Sequence, residues 1–178
     1  LVTGGATGLG RATCLTLARL GCSIAVNHVA ATRDEAEKTV AEVRGFVATL
    51  ANTGNDVTDS DACQQMAATV MNQAGRLDIL VNCAGVTRFI PHAALDDVAD
   101  EDWDFILDVN LKGTFHTARA CREALQTNGG VIINIASISG INATGSCIPY
   151  AVSRAGVMTL TAALARVMAP RIRVNAVA

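Results

Sequence analysis

Thr3-Gly4-Gly5-Ala6-Thr7-Gly8-Leu9-Gly10 is the stretch that decides the fold, because it joins an apolar start to the first helical pattern. Gly4 permits a sharp exit from a strand, and Gly8 lets a backbone approach a pyrophosphate without a Cβ in the way. Gly10 lets helix and strand pack closely, and the helix would point its free N–H groups at the phosphates. The spacing differs from G-x-G-x-x-G, and many strand-to-helix corners contain glycine. Nucleotide binding and a purely structural corner therefore both stay open.

Outward from this turn, apolar β-branched segments alternate with amphipathic segments along the whole chain. The predicted strands are 23–26, 46–50, 78–82, 131–135 and 172–174. The predicted helices lie near 8–20, 33–44, 59–73, 101–126 and 149–169. Asp59 suits the N-cap of the third helix, and Pro170 ends the last one. The alternation predicts one α/β domain over residues 1–178, with right-handed crossovers and a parallel sheet covered on both faces.

Composition excludes several classes of protein. The 14 basic and 16 acidic side chains, with only 3% aromatic residues, provide no footprint for nucleic acid. No uncharged apolar stretch reaches about 18 residues, so no membrane span is expected. The six cysteines form no C-x-x-C pair and the three histidines are isolated, which predicts no metal site but reduced thiols in a cytoplasmic protein. The acidic run from Asp96 to Asp108 is interpreted as a solvated loop and helix start.

The end of the strand predicted over 23–26 bears on the choice of cofactor. An acid usually binds the ribose hydroxyls of NAD at this place, about 20 residues after the glycine-rich turn. Asn27 and His28 occupy it here, so no carboxylate repels a 2′-phosphate, and Arg33 is close enough in sequence to reach one. This favours NADP, with NAD as the alternative. Arg33 could equally be a solvated residue in the first turn of a helix.

Four further segments make the sequence resemble a known family. They are Asn82-Cys83-Ala84-Gly85 at the end of the strand predicted over 78–82, Asn110 within Val109-Asn110-Leu111, Ser137 after the strand predicted over 131–135, and Tyr150-Ala151-Val152-Ser153-Arg154 at the next helix. Their order and spacing resemble the short-chain dehydrogenase/reductase family, most closely its 3-oxoacyl-(acyl carrier protein) reductases. The resemblance implies a Rossmann-type doubly wound parallel sheet in three α/β/α layers. It also implies that the chain is trimmed at both ends and lacks a C-terminal lid and last strand.

The resemblance assigns four catalytic positions. Tyr150 would protonate the carbonyl oxygen as hydride arrives, and Ser137 would hold that oxygen by a hydrogen bond. Asn110 would bind a proton-relaying water and secure a kink in its helix, and Arg154 would complete the group. Asp56 and Val57 would contact the adenine. The residues expected to bind the cofactor are Gly4, Thr7, Gly8, Leu9, Gly10, His28, Arg33, Asp56, Val57, Asn82, Ala84, Gly85, Tyr150 and Arg154.

Two positions depart from the family pattern. Cys83 replaces the second asparagine of Asn-Asn-Ala-Gly, a change that should leave the backbone path intact. Arg154 replaces the lysine of Tyr-x-x-x-Lys, four residues after Tyr150 and so on the same helical face. A guanidinium supplies the positive charge, but it is bulkier and cannot give up a proton to a relay. We therefore expect activity that persists but is reduced.

The sequence thus predicts an NADP(H)-dependent oxidoreductase that interconverts a carbonyl and a secondary alcohol, with a 3-oxoacyl thioester as preferred substrate. A catalytically weak nucleotide-binding sensor or scaffold is the alternative that Arg154 suggests. A methyltransferase would leave the serine and tyrosine unexplained. The segment 140–149 should form a mostly apolar substrate wall. The resemblance also implies a homo-oligomer, tetramer or dimer, although the apolar residues of the helices concerned suit a core equally well.

Overall fold

Five parallel strands lie at the centre of the protein, in a computed structural model that describes residues 1–47 and 49–178. They are β1 Ile24–Asn27, β2 Thr49–Thr53, β3 Ile79–Asn82, β4 Val131–Ile135 and β5 Arg173–Val177. Strand β1 pairs with β2, β3 pairs with β4, and β4 pairs with β5. Residues 1–3 join the two groups, because Val2 forms parallel bridges to both Val26 and Val81. The order across the sheet is therefore β2, β1, residues 1–3, β3, β4, β5.

Helices connect the strands and cover both faces of the sheet. They are α1 Gly8–Arg19, α2 Arg33–Arg44, α3 Ser60–Ala74, α4 Asp100–Leu107, α5 Gly113–Asn128, α6 Ser139–Asn142 and α7 Ile148–Met168. A π-helical turn, Asp108–Lys112, separates α4 from α5. The predicted α/β class and parallel sheet are confirmed.

Two apolar clusters show how the layers stack. Val2, Ile24, Val26 and Val81 face α1 and α2, whereas Leu80, Ile132 and Val174 face α3, α5 and α7. Neighbouring residues such as Leu80 and Val81 point to opposite faces because side chains alternate along a strand. Each fully buried side chain of this size contributes about 1.5–3 kcal/mol. The sheet thus lies between two helical layers, as predicted.

Individual capping residues and a proline mark where helices begin and end. The Asp59 carboxylate accepts hydrogen bonds from the backbone N–H groups of Asp61 at 2.8 Å and Ala62 at 3.0 Å, which confirms Asp59 as the N-cap of α3. Helix α7 ends at Met168, two residues before Pro170. In the acidic run, Asp102 accepts a hydrogen bond from the N–H of Ala99 at the start of α4, so the interpretation as a helix start is confirmed.

The strand predicted over 46–50 is wrong in its position. Strand β2 covers Thr49–Thr53, and the prediction at Ala48 lies outside the described residues. Pairing with β1 sets the observed position, since Asn27 is in register with Thr53, and the His28 N–H donates to Thr53 O at 3.0 Å. Phe46, which made the earlier segment look like a strand, is exposed and lies under the guanidinium of Arg19.

The helix predicted over 101–126 is interrupted. The hydrogen bonds of the π-helical turn Asp108–Lys112 span five residues instead of the four of an α-helix, a feature that is frequent at functional sites. The hydroxyl of Thr114 donates to the carbonyl oxygen of Asn110 at 2.8 Å within this segment. Amphipathic spacing does not indicate this turn, because the apolar positions continue on both sides of it, but the turn lies where the resemblance implies a kink at Asn110.

The sequence left open whether the apolar residues of α5 and α7 belong to the core or to an interface between subunits. Most of them belong to the core. Ala118, Leu125 and Val157 are fully buried, and Leu164 is nearly so, whereas Phe115 is exposed at the surface of α5. In the part of the chain that the structure describes, no helix is both long and apolar enough to cross a bilayer.

Replacing Gly10 by alanine is expected to lower the free energy of unfolding by about 1–3 kcal/mol, the range for an overpacked site. The added methyl would overlap the carbonyl oxygen of Gly4 in the same turn. Urea unfolding measures the change, with Gly45→Ala as the matched control. A methyl at the exposed Gly45 would lie 3.2 Å from the carbonyl oxygen of Glu42, and we expect an effect within about 0.5 kcal/mol there. Equal losses in the two variants would contradict this account of Gly10.

Candidate active site

A cleft of about 720 Å³ opens at the carboxyl ends of the strands, beside residues 1–3. The chain order of the strands reverses at this point, which is where open α/β sheets bind their ligands. The volume is ordinary for a cofactor pocket. Of the predicted site residues, the cleft gathers Gly4, Thr7, Gly8, Leu9, Gly10, His28, Asp56, Val57, Ala84, Gly85, Tyr150 and Arg154. The other four, Arg33, Asn82, Asn110 and Ser137, do not line it.

The glycine-rich turn forms one wall of the cleft and is tied to the loop after β3. Gly4 has a φ of 62°, and a Cβ on it would lie 2.9 Å from the Cα of Ala84. The hydroxyl of Thr3 accepts hydrogen bonds from the N–H groups of Cys83 at 3.0 Å and Ala84 at 3.1 Å. The two loops that flank the reversal point are therefore held together by backbone contact and by one side chain.

The start of α1 is suited to a phosphate. Thr7 is the N-cap residue, but its side chain makes no capping hydrogen bond, so the N–H groups of the first turn need another acceptor. Gly8 has a φ of 50°, and a Cβ built on it meets no atom within 4 Å. An uncapped helix start beside open space in the cleft fits the pyrophosphate of a dinucleotide.

The expected adenosine end lies beside β1 and β2. Asn27 is buried, and its amide donates to the carbonyl oxygens of Thr53 at 3.1 Å and Asn55 at 2.8 Å, so it fastens the loop after β2. His28 is also buried, and its Nδ1 lies 2.9 Å from Val29 O. Arg33 is exposed instead, with its Nε 3.6 Å from a carboxylate oxygen of Glu37. This is the solvated helix-start position that the sequence had left as the alternative.

Asn110 is fully buried and clamps the loop after β3. Its Oδ1 accepts from the N–H of Val86 at 2.8 Å, and its Nδ2 donates to Val86 O and to the hydroxyl of Ser153, each at 3.0 Å. Both amide hydrogens are therefore engaged, and a water could bind this side chain only through the second lone pair of Oδ1. The contact with Ser153 also fastens the π-helical turn to α7.

The other end of the cleft carries Tyr150 and Arg154. The Arg154 guanidinium lies over the Tyr150 ring, with 5.0 Å between Cζ and the ring centre. Its Nη1 donates to Ile135 O at 2.8 Å, whereas its Nε is buried without a hydrogen-bond partner among the described residues. Arg154 is only 7% exposed and has no carboxylate within ion-pair distance in the described part of the chain. A buried positive charge of this kind favours an anion or an electron-rich group in the cleft.

Gly85 makes room for the Arg154 side chain, and Gly140 lets the segment after β4 approach the backbone of α7 beside it. A Cβ on Gly85 would overlap Nη2 of Arg154, and a Cβ on Gly140 would lie 2.5 Å from the backbone nitrogen of Ala155. Gly85 was expected to line the cofactor cleft, but its clearance for a guanidinium was not. Only the two positions considered together could have predicted this clearance, because the arginine at 154 is bulkier than the lysine of the family pattern and needs the space that the glycine at 85 leaves.

Ser137 and Asn82 support the cleft from positions next to it. Ser137 follows β4 half-buried, and its hydroxyl accepts a hydrogen bond from the N–H of Ser139 at 3.1 Å. Asn82 is buried and points to the face covered by α5 and α7. Its Nδ2 donates to Oδ1 of Asn134 at 2.9 Å, and its Oδ1 accepts from the hydroxyl of Thr117 at 2.6 Å.

The predicted substrate wall is joined to the loop after β3. The hydroxyls of Thr87 and Ser146 are hydrogen-bonded to each other, and the N–H of Ile90 donates to Ser146 O at 2.9 Å. A Cβ on Gly145 would lie 3.7 Å from Cδ1 of Tyr150, so this loop borders the tyrosine. Cys147 is fully buried, which agrees with a packed thiol rather than one facing a substrate. Apolar side chains stand exposed on these segments at Phe89 and Ile141, and just before the predicted wall at Ile138.

The six cysteines are all free. Burial raises the pKa of the Cys14 and Cys63 thiols to about 11 and that of Cys121 to about 12, so these thiols stay protonated. Burial also raises the pKa of Cys83, which lines the cleft, while the positive charge of Arg154 opposes that rise. Among the residues that the structure describes, no group of three or more His, Cys, Asp or Glu could hold a metal ion.

Comparison with known proteins agrees with this geometry. Residues 1–178 match the family model described as short chain dehydrogenase. The chain is 40% identical over 179 residues to a protein of Streptomyces violaceoruber assigned as ketoacyl reductase 2 of the granaticin polyketide synthase, covering 100% of this chain and 70% of that protein. It is 36% identical over 180 residues to the 3-oxoacyl-(acyl carrier protein) reductase FabG of Thermotoga maritima, a match that covers 100% of this chain and 71% of that protein. The crystal structure of an NAD⁺-bound xylitol dehydrogenase superposes with a TM-score of 0.91 at 33% identity, covering 98% of this chain and 66% of that one.

Replacing Arg154 by methionine is expected to slow alkylation of Cys83 by iodoacetamide about two- to tenfold at pH 8, since one pKa unit changes the thiolate fraction about tenfold. The guanidinium lowers the pKa of Cys83, so its removal raises that pKa and leaves less thiolate at a given pH. Mass spectrometry of the labelled peptides measures the rate, with Cys22 in the same sample as the internal reference. Arg154→Lys keeps the charge and should label Cys83 near the wild-type rate. An unchanged rate in Arg154→Met would contradict the assigned charge effect.

Proposed function

The chain belongs to the short-chain dehydrogenase family and is an oxidoreductase acting on CH–OH groups with a nicotinamide cofactor, and from this premise we propose that it interconverts a 3-oxoacyl thioester and the corresponding secondary alcohol with NADP(H). The ketoacyl and 3-oxoacyl reductases among its relatives support this substrate class. Assembly into a dimer or tetramer is part of the same proposal, with Phe115 as an exposed apolar side chain on α5.

The contact between Arg154 and Tyr150 carries the proposal. Both residues line the same cleft as the uncapped start of α1, so a group that gains or loses a proton faces the place where a dinucleotide fits. A positive charge beside the phenol stabilises the phenolate that forms when the proton moves to the substrate. The buried guanidinium supplies this charge without a competing carboxylate among the described residues.

The residues of the chain then have separate tasks. When bound, the nicotinamide dinucleotide supplies or accepts the hydride. In the direction of reduction, Tyr150 donates its phenolic proton to the carbonyl oxygen, and Arg154 stabilises the phenolate that remains. Ser137 turns its hydroxyl hydrogen to the same oxygen. Asn110 holds the backbone of Val86, and through Ser153 it holds α7, so that the loop after β3 and the tyrosine keep their relative positions.

NADP(H) is supported by the end of β1. The side chains there are Asn27 and His28, and neither is a carboxylate that would repel a 2′-phosphate. Asp56 lines the cleft farther along, but one oxygen of its carboxylate already accepts from the N–H and the hydroxyl of Thr58, each at 2.9 Å. An acyl thioester is supported by Val86, Phe105 and Val109, apolar residues that line the same cleft as Tyr150, because an acyl chain is apolar along its length.

The full-length protein is expected to oxidise NADPH in the presence of an acetoacetyl thioester. Tyr150→Phe should lower the turnover number by about 10²–10⁴-fold, since it removes the proton donor. It should keep NADPH binding, because phenylalanine retains the ring that Arg154 contacts. Absorbance at the nicotinamide band measures turnover, and fluorescence titration measures binding. Normal NADPH binding without turnover of any carbonyl would contradict the proposal and favour a nucleotide-binding sensor or scaffold.

Replacing Arg154 by lysine is expected to raise the turnover number, because an ammonium can pass on a proton and a guanidinium cannot. Arg154→Met removes the charge and should lower the turnover number instead. Steady-state kinetics of the three proteins at saturating NADPH compare these effects. An unchanged turnover number in Arg154→Lys would show that the arginine does not limit proton transfer. Tight NADPH binding without chemistry in both the wild type and Arg154→Lys would select the sensor.

A further inference from the structure

The hydroxyl of Thr87 joins two segments that border the candidate active site. Thr87 lies on the loop after β3, directly after Val86, which lines the cleft. Its Oγ1 is hydrogen-bonded to the hydroxyl of Ser146 and lies 3.9 Å from Sγ of Cys147. Cys147 is the N-cap residue of α7, and Tyr150 lies in the first turn of that helix. One side chain of the loop thus reaches the start of the helix that carries the tyrosine.

The hydrogen-bonding capacity of the Thr87 hydroxyl is fully used. A threonine hydroxyl has one hydrogen to donate and two lone pairs that accept. Oγ1 donates its hydrogen to Arg88 O at 3.2 Å, so Ser146 is the donor in the hydrogen bond between the two hydroxyls. The second lone pair of Oγ1 is left for the thiol of Cys147. Every polar contact of this side chain therefore goes to one of the two segments, and these contacts fix the side chain between them.

A main-chain hydrogen bond lies beside the contact between the hydroxyls. The N–H of Ile90 donates to Ser146 O at 2.9 Å. Thr87 and Ser146 are half-buried, and Cys147 is fully buried. Hydrogen bonds are electrostatically stronger where water is partly excluded. The segment before α7 is thus attached to the loop after β3 by one main-chain and one side-chain hydrogen bond.

Tyr150 lies between two attachments to neighbouring residues of that loop. On its C-terminal side, Oγ of Ser153 donates to Tyr150 O at 2.7 Å and accepts from Nδ2 of Asn110 at 3.0 Å. Asn110 in turn binds both backbone groups of Val86. On its N-terminal side, Thr87 binds the segment that leads into α7. Since a helix end that is held at one point can still tilt, the second attachment is the one that fixes the direction of the first turn.

We propose that Thr87 is a positioning residue for Tyr150, and that through Ser146 it sets the place of the phenol relative to the loop that borders the cleft. This inference rests on the proposed function, in which Tyr150 donates a proton to the substrate. A proton moves only across hydrogen-bond distance, so a small displacement of the donor slows the reaction. Thr87 is not among the residues that line the cleft. Its loss should therefore act on the chemical step through the tyrosine and leave cofactor binding unchanged.

Thr87→Val removes the hydroxyl and keeps the branched shape of the side chain. In the full-length protein, with NADPH and an acetoacetyl thioester, it should lower the turnover number about five- to fiftyfold, since misplacement by about 1 Å can cost about 100-fold. The dissociation constant of NADPH should stay within about twofold, because the hydroxyl acts only in the transition state. The primary deuterium isotope effect on turnover, measured with NADPH deuterated at the transferred position, should rise because the chemical step becomes slower.

Two further variants separate the hydroxyl from a general effect of substitution. Thr87→Ser keeps the hydroxyl and should keep most of the wild-type turnover. Thr69→Val is the matched control, because it removes a threonine hydroxyl that also donates to a carbonyl oxygen, that of Gln65 at 2.8 Å, on α3 and outside the lining of the cleft. It should behave as the wild type.

Ser146→Ala removes the other partner of the same hydrogen bond. It should lower the turnover number as Thr87→Val does, and the double variant should be no slower than Thr87→Val alone, because the two changes delete one shared contact. Ser146→Ala also carries the test if Thr87→Val fails to fold.

Fluorine NMR follows the position of Tyr150 without any turnover. Tyr150 is the one tyrosine among residues 1–178. After labelling of the full-length protein with 3-fluorotyrosine, the resonance that is missing in Tyr150→Phe belongs to it. Thr87→Val and Ser146→Ala should shift or split this resonance, because the ring leaves its single environment. Thr87→Ser and Thr69→Val should leave it in place.

Wild-type turnover in Thr87→Val would overturn the inference, and so would reduced turnover with an unmoved fluorine resonance. A rise in the dissociation constant of NADPH that accounts for the lost activity would also overturn it, because Thr87 would then support the cofactor and not the tyrosine. If the wild type turns over no thioester, the proposed function itself fails. The fluorine spectra then still decide whether Thr87 positions the phenol.

Discussion

Residues 1–3 form parallel backbone pairing with β1 on one side and β3 on the other, and the rest of the structure depends on this pairing. Val2 exchanges backbone hydrogen bonds with Ala25 and Asn27 of β1, each at 3.0 Å, and Thr3 donates to Val81 of β3 at 3.0 Å. The chain leaves this segment first towards β1 and β2 and later towards β3, β4 and β5. The connecting loops therefore diverge at its carboxyl end, and the cleft opens between them. Thr3 closes the base of the cleft with its hydroxyl, which holds the backbone on the other side.

The chemistry of the cleft centres on one buried charge. Removing a guanidinium from water costs free energy unless other groups take over its hydration. Ile135 O and the face of the Tyr150 ring replace part of the lost hydration of Arg154, and Nε is buried without a hydrogen-bond partner among the described residues. Gly85 supplies the space that the bulkier head group requires. The substitution of arginine for lysine is thus accommodated by a residue 69 positions away in the chain.

How far the sequence could predict the site depends on whether a contact is local in the chain or joins distant segments. The resemblance to the family implies that Tyr150 and Arg154 act together, and their spacing of four residues predicts the observed contact, because such residues lie on one helical face. The segment around Phe46 was assigned to a strand on its apolar content, but pairing with β1 placed β2 three residues later. Periodicity predicts an unbroken helix through Asn110, because the side chain that stabilises the π-helical turn bonds to Val86 on another segment; the family resemblance implies a kink at Asn110, and the turn lies there.

The sequence by itself determined the fold class, the order of the strands and helices along the chain, and the family. These depend on periodicity and on motifs whose residues lie within a few positions of one another. Only the tertiary structure decided which candidate residues face the cleft. It placed Arg33 outside, turned Asn82 towards α5 and α7, engaged both amide hydrogens of Asn110, and left Nε2 of His28 without a protein partner among the described residues. These outcomes depend on distances between segments that are remote in the chain, and no local pattern encodes such distances.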